Sequence, residues 1–532
     1  MYIRTLKPCN HLRMIRMACV QLLVVAGLVA MALPPAVAAL PPPERPYKIL
    51  MLLPVSSRSH RNVFMPLATA LTERGHQVTM VSNSPLTEER PGLTHFENPL
   101  PHFKMDTINT FEMMDNMEEM FKLFNERLPL IAREIYDVPV IRDLYQRRKE
   151  FDLVILSSLF NEVMLPFTHN HTFITISTSG LDPVTSSVMG NTLNPAYVPN
   201  GLEVYKPLTT LGRWKNLIMT IVFAFTFGKS LQAPIQAEIE KRFPELPSFS
   251  ELERNLSLTL MNSHFSTGLT VPLLPNQVEV GGLHIEPTKA LPKNLLDFLS
   301  GTTPVVYMSL GSVTRSSAMR QEHKDIFFRA FAKIPYKVLW KFEEEPQEKL
   351  NNLLVQKWMP QQDILAHPNV KVFISHCGLL GSLEALYFGT PILGLPVFAD
   401  QPKNAESHEL AGVGRKILWP DLTEELLISA IEDLINNPRY EENVQAISAS
   451  MKDRPMRAVD TAVYWTEYVI RHQGALHLRS PERDLTWVEL LYLDLLVVIH
   501  IILVFIYVVI IKLTSLCFGG KDRDGKSKTK KE

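Results

Sequence analysis

The sequence predicts an α/β chain of two halves, each built on a parallel sheet, with a ligand cleft between them and one transmembrane helix near the C-terminus. Three observations carry this. Near-continuous apolar runs alternate with helically spaced segments in both halves, as in strands buried on two faces by crossover helices. A stretch holding Pro287 and Pro292 separates the halves. Leu490 to Ile511 is apolar apart from Asp494 and His500, and at 1.5 Å per residue it covers roughly 33 Å, enough for a bilayer core.

The ends come first. Arg13 and Arg16 precede an apolar run from Met17 to Leu33, and Ala36-Val37-Ala38 offers a small-residue cleavage site. This pattern predicts a secretory signal peptide over residues 1–38. Lys512, Lys521, Arg523, Lys526, Lys528, Lys530 and Lys531 follow the apolar run at 488–511, so the tail 512–532 is expected in the cytosol by the positive-inside rule. The lysines three and five residues from the C-terminus resemble a dilysine retrieval motif. The predicted location is therefore the endoplasmic-reticulum membrane, single-pass type I, with both halves lumenal. Of four cysteines, only Cys377 falls in the lumenal part, which excludes an intrachain disulfide there and a cysteine-cluster zinc site. Asn170 and Asn255 head sequons.

In the first half (39–283), Lys48 to Val55 reads as a strand, Ser56 to Asn62 as a loop, Val63 to Arg74 as a helix ending at Gly75, and Gln77 to Ser82 as the next strand. Further strands are expected at 152–156, 172–177, 256–262 and 277–281, with helical material over 110–148 and 211–242. Residues 284–303 read as a linker. The second half (304–487) carries strands at 304–309, 338–341, 370–375 and 391–396. Ligands in such sheets bind beyond the carboxyl ends of strands. Composition narrows the ligand. With 54 basic and 55 acidic residues there is no basic excess for nucleic acid. No G-x-G-x-x-G follows the first strand, which disfavours a dinucleotide oxidoreductase, and there is no Walker loop.

The strongest motif runs from Trp358 to Ala405. Its strand enters His376-Cys377-Gly378-Leu379-Leu380-Gly381-Ser382, and a helix starts near Leu379. Gly378 and Gly381 permit close backbone approach, and the helix start with Ser382 in its first turn is an anion site suited to a diphosphate. His376 can add a hydrogen bond. Glu384 can accept from a ribose diol, Asp400 and Gln401 from sugar hydroxyls, Trp358 can stack a flat base, and Gln361 lies three residues beyond it.

This motif resembles the signature of the UDP-glycosyltransferase family, the membrane-bound glucuronosyl- and glucosyltransferases, and the resemblance extends over nearly the whole chain. It implies two Rossmann-like domains of the GT-B type. UDP-glucose or UDP-glucuronate, a co-substrate in an enzyme without cofactor or metal, would bind the second, and a small lipophilic acceptor the first. It implies that Trp358 and Gln361 face the uracil, His376 and Gly378 the diphosphate, Glu384 the ribose, and Asp400 and Gln401 the sugar, with Ser309 another donor contact. It makes His60, after the first strand, the general base of an inverting transfer. Dimers occur in the family, which leaves a homo-oligomer open. Three positions depart from the family pattern. Cys377 replaces a glycine, Leu380 stands where asparagine is frequent, and Ser157 occupies the place of the carboxylate that orients the base, with Glu162 as a substitute. These departures motivate an alternative, a catalytically weakened relative that binds the donor or a lipophilic ligand. A third reading is a transferase for lipid acceptors, with Ile218 to Phe227 near the membrane, although core packing is the expected role of that segment. No basic residue stands out for a glucuronate carboxylate, which tilts the reading to glucose.

Overall fold

Two parallel sheets with the same winding order organise the computed structural model. It describes residues 40–518 apart from 87–88, 102–108, 115–116, 161, 200–208, 224–229 and 347–348. The predicted signal peptide and the tail from 519 onward lie outside the described residues. The first sheet has the order β3-β2-β1-β4-β5-β6-β7 and the second β10-β9-β8-β11-β12-β13, all pairs parallel. In the first sheet the strands are β1 (Lys48–Leu53), β2 (Gln77–Ser82), β3 (Leu93–Glu97), β4 (Leu153–Ser157), β5 (Phe173–Ser177), β6 (Leu256–Met261) and β7 (Gln277–Glu279). In the second they are β8 (Val305–Ser309), β9 (Lys337–Lys341), β10 (Leu353–Gln356), β11 (Val370–Ser375), β12 (Ile392–Gly394) and β13 (Gly414–Lys416). The order reverses between β1 and β4 in one sheet and between β8 and β11 in the other. Those crevices are where open α/β sheets take ligands.

The helices used below are α1 (Arg58–Glu73), α2 (Thr110–Met113), α3 (Pro183–Val188), α4 (Thr210–Phe223), α5 (Lys293–Leu299), α6 (Gln361–Leu365), α7 (Leu379–Phe388), α8 (Gln401–Leu410), α9 (Ala458–Arg471) and α10 (Leu493–Phe518). The helix expected from Val63 begins five residues earlier. Ser57 caps it, its hydroxyl accepting from His60 N at 3.3 Å. His60 therefore sits in a helical first turn, not in a loop.

The halves exchange elements. From the first, α2 inserts Phe111 into the second core, edge-on to Trp419 with centroids 4.9 Å apart. In return α9, which its place in the sequence assigned to the second half, buries Ala462, Val463 and Val469 in the first core. Glu467 on α9 fastens this return: Arg74 Nε donates to it at 2.6 Å and His76 Nε2 at 3.0 Å. Because Tyr47 N donates to His76 Nδ1, the ring proton lies on Nε2. Burial pushes the Glu467 carboxyl up, but its bonds to His76 and Arg74 outweigh that and hold it below the usual range. The expected linker is also folded: Leu295 and Leu299 of α5 are buried in the second core. The apolar C-terminal helix begins at Leu493 instead of 488, because the backbone breaks at Tyr492 with φ +53° after a short helix at Trp487–Leu490. By length and composition α10 suffices to cross a membrane.

Candidate active site between the two sheets

A cleft of about 760 Å³ opens between the two reversal points. His60, from the turn after β1, and Glu162, beyond β4, line one wall. Ser309, from the end of β8, and His376 and Gly378, from the end of β11, line the other. Trp358, Gln361, Gly381, Glu384, Asp400 and Gln401 also line it, so the structure gathers most of the predicted residues. Ser157 and Ser382 are not among the lining residues. Ser157 is buried, and its hydroxyl accepts from Leu159 N at 3.5 Å. Ser382 is buried too and pairs with His408 Nε2 at 2.9 Å.

The second wall is braced from within. Gln361 accepts from Tyr307 Oη at 3.2 Å and donates to Glu384 at 2.5 Å; Gln362 donates to the other Glu384 oxygen at 3.0 Å. Glu384 is thus fixed by two amides, and Gln361 has both ends of its amide engaged. The Gln401 carbonyl accepts from Val397 N and Phe398 N at 2.8 and 3.1 Å, which leaves its amide nitrogen for the cleft. Asp400 accepts from Asn404 at 2.8 Å, and burial raises its pKa.

The His376 ring explains two glycines. A Cβ at Gly378 would stand 2.5 Å from its Nε2, and one at Gly311 would stand 2.7 Å from its Cε1. Beyond the ligand approach expected of it, Gly378 makes room for the imidazole. Burial, and secondarily the Lys341 ammonium, pushes His376 down to about 4, and its Nδ1 is buried without a partner. The ring is neutral at physiological pH, so one nitrogen bears a proton to donate and the other can accept.

Cys377 does sit where glycine fits best, at φ +61°. Such a residue costs about 1–2 kcal/mol relative to the right-handed region. Compensation is visible: Ser375 Oγ accepts from Cys377 N at 3.1 Å, and Asn404 donates to Cys377 O at 3.0 Å. Gly394 provides the room, since a Cβ there would lie 2.7 Å from the Cys377 sulfur. Burial raises the thiol's pKa, so it is an inert, packed group. Leu380 packs its side chain against the first core, an apolar contact between the halves.

The first wall is less braced. The His60 ring has no hydrogen-bond partner among the described residues. Its pKa falls to about 4 through burial alone, even though the residue retains some exposure, because the cleft walls enclose it. Among the described residues no carboxylate contributes to this shift. Glu162 is itself pushed up to about 7, by burial first and then by the charge of Asp182, and its Oε2 is buried without a partner.

Among the cations that line the cleft are Arg58, Lys341 and Lys403, none of them given a role from the sequence. Arg58 reaches across from the first half, its guanidinium 5.6 Å from the Trp358 ring centroid. Trp358 is 58% exposed, and the Lys341 ammonium also lies over its ring, 6.0 Å from the centroid. Lys341 ends a buried strand and donates to Gly311 O at 2.8 Å and to Glu343 at 2.7 Å. The available signal for it was a lysine closing the apolar run Lys337–Lys341. Arg58 and Lys403 carried no pattern of their own.

The profile of the family described as "UDP-glucoronosyl and UDP-glucosyl transferase" matches residues 51–528. UDP-glycosyltransferase UGT5 of Dactylopius coccus is 36% identical over 494 residues, covering 88% of this chain and 93% of its own. UDP-glucuronosyltransferase 2B7 of Homo sapiens is 31% identical over 514 residues, covering 88% and 94%. Among solved structures, glycosyltransferase VinC in complex with DTDP matches with TM-score 0.55 at 18% identity, over 80% of this chain and 100% of its own. Spinosyn forosaminyltransferase SpnP matches with TM-score 0.52 at 18% identity, over 80% and 100%. These neighbours show the GT-B fold. Two facing parallel sheets, a cleft at their reversal points and this span of similarity lead to one conclusion: the chain belongs to the UDP-glucuronosyl and UDP-glucosyl transferase family and is a UDP-sugar transferase.

Proposed function

We propose that this enzyme inverts the anomeric centre of a UDP-hexose, glucose or glucuronate, as it moves the sugar to a hydroxyl of a small lipophilic acceptor. In this reading the diphosphate lies at the start of α7 against His376 and Gly378, where the free backbone N–H groups and the helix dipole favour an anion. Lys341, Arg58 and Lys403 add positive charge. Trp358 stacks the base, Glu384 takes the ribose, and Asp400 with the Gln401 amide holds the sugar. His60 removes the acceptor proton while the acceptor oxygen bonds to the anomeric carbon. The anomeric C–O bond to the diphosphate breaks, and UDP leaves with the electron pair. The chain is held in the endoplasmic-reticulum membrane by α10, with both sheets lumenal.

The single observation carrying this reading is the placement of His60 at one reversal point and the His376–Gly378 turn at the other, lining one cleft. The test is UDP release from UDP-glucose or UDP-glucuronate mixed with a phenol. His60→Ala should slow release about 10²–10⁴-fold, the usual contribution of a general base, while UDP affinity is unchanged. Wild-type release no faster than that of His60→Ala would sink the proposal. It would favour the second reading, a binding protein of weakened activity, which the unpartnered His60 ring supports.

A further inference from the structure

The proposed reaction leaves parts of the surface without a role. Core packing was expected of the segment holding Ile218, yet on α4 Leu211, Trp214 and Ile218 are exposed, and no residue of α4 belongs to either core. A different feature carries an inference. A second cavity, of about 420 Å³, is lined by Arg254, Asn255, Arg479, Arg483 and Asp484. Arg254 comes from the first half, just before β6, whereas Arg479 and Arg483 lie on the segment that leads from α9 to α10.

Three cations meet there without an acidic partner. Exposed arginines elsewhere are paired: Arg45 with Asp152, Arg133 with Glu238 and Arg457 with Asp460. Among the described residues, none of Arg254, Arg479 and Arg483 is ion-paired, and the Arg254 and Arg483 side chains donate to no protein group. Arg479 Nη2 donates to Asn255 O at 3.0 Å, while its Nε is buried without a partner. The charges act on one another. Burial first, and then the Arg483 charge, lowers the Arg479 pKa. Burial also lowers that of Arg483, opposed by Asp484 and reinforced by Arg254. Backbone packing holds them in place. Thr192 N donates to Glu482 at 2.9 Å, and a Cβ at Gly190, two residues past α3, would stand 2.7 Å from Arg483 N.

We propose that this cavity binds a phosphate group. Planar guanidinium forks meet phosphate oxygens two at a time, and an anion among them offsets their mutual repulsion. Three arginines against Asp484 leave two positive charges to be matched, close to the roughly −1.5 to −2 of a phosphate monoester at neutral pH. The headgroup of phosphatidic acid and soluble phosphate both carry that group. The position of the cavity favours the lipid. Leu493, where α10 begins, is nine residues beyond Asp484, and between them Trp487 and Tyr492 are exposed aromatics of the kind found at headgroup level. That source rests on the membrane-anchored reading above; the affinity for phosphate does not.

The experiment is a calorimetric titration of the full chain in dodecyl-maltoside micelles at fixed ionic strength. UDP is present to fill the diphosphate site. The probes are inorganic phosphate, dihexanoyl phosphatidic acid and dihexanoyl phosphatidylcholine. Phosphatidic acid should bind the wild type at least about tenfold more tightly than phosphatidylcholine. Arg254→Gln and Arg483→Gln should each weaken it about tenfold, and the double variant further. Arg254→Lys, which keeps the charge but not the fork, should fall between. UDP affinity, measured separately, should be unchanged in each variant. Inorganic phosphate that binds as tightly as phosphatidic acid, with the same dependence on the arginines, keeps the site and assigns it to soluble phosphate. Absence of phosphate and phosphatidic acid binding, or binding unaltered in the double variant, overturns the proposal. Arginine-dependent phosphatidic acid binding in a chain that does not bind UDP would sink the donor-site reading and leave this one standing.

Discussion

Two of the imidazoles that line this cleft, those of His376 and His60, are held differently. His376 is caged, with Gly311 and Gly378 lacking the Cβ atoms that would collide with it. His60 rises from the first turn of α1 with its backbone capped by Ser57 and its ring unbonded among the described residues. Both fall to about 4 through burial. The lesson is a division of labour. A group that must hold a fixed anion can be locked before the ligand arrives. In the proposed role, a group that meets varied acceptors is left to turn, with burial keeping it neutral.

The comparison can be broken by substitution. The largest expected effect is on turnover: His60→Ala should lower kcat about 10²–10⁴-fold in a UDP-release assay, with donor KM little changed. Next, Gly378→Ala adds a Cβ 2.5 Å from His376 Nε2. Overpacking of this kind costs about 1–3 kcal/mol, so donor affinity by calorimetry should fall about tenfold to a hundredfold, whereas the same change at the open Gly268 should do nothing.

The pH profile sharpens the contrast. His60 acts as base only when unprotonated, so kcat/KM should be level through neutrality and decline only as pH drops through about 4. An acid limb at or above the ordinary 6.5 in kcat/KM would mean that a carboxylate already acts on His60 in the free enzyme, whereas the same limb in kcat alone would mean that one reaches it in the substrate complex. The sign for stability is the same. Below 6.5 the unfolded chain protonates this histidine before the folded one does, so its stabilising contribution is complete above 6.5 and lost as pH falls toward 4. The smallest effect is assigned to Glu162→Gln. Nothing in the structure joins Glu162 to His60, so kcat should stay within about threefold, far from the roughly 10⁴ loss that follows removal of an orienting carboxylate's charge in a hydrolytic triad.

Legibility followed the same divide. The second wall comes largely from one segment, Trp358 to Asn404, whose turn glycines and polar spacing survive in linear order. The first wall draws on residues about a hundred apart, from His60 to Glu162, and no local pattern announces their meeting. Buried strands such as β1, β4 and β11 were readable as apolar runs. The three unread strands, β3, β10 and β13, are all sheet edges with half-exposed residues, so the continuous run is missing. The start of α1 was hidden by the polar run Arg58 to Asn62, although Ser57 offered an N-cap. The return of α9 to the first core depends on Glu467 meeting Arg74 and His76, almost four hundred residues away in sequence.

The most direct measurement is a calorimetric titration of UDP into the detergent-solubilised full chain, wild type beside His376→Ala and His60→Ala. UDP should bind the wild type and His60→Ala alike and bind His376→Ala about tenfold or more weakly, the loss of roughly 1.4 kcal/mol or more. Absence of UDP binding to the wild type, or equal binding by all three, would contradict a diphosphate held at the start of α7.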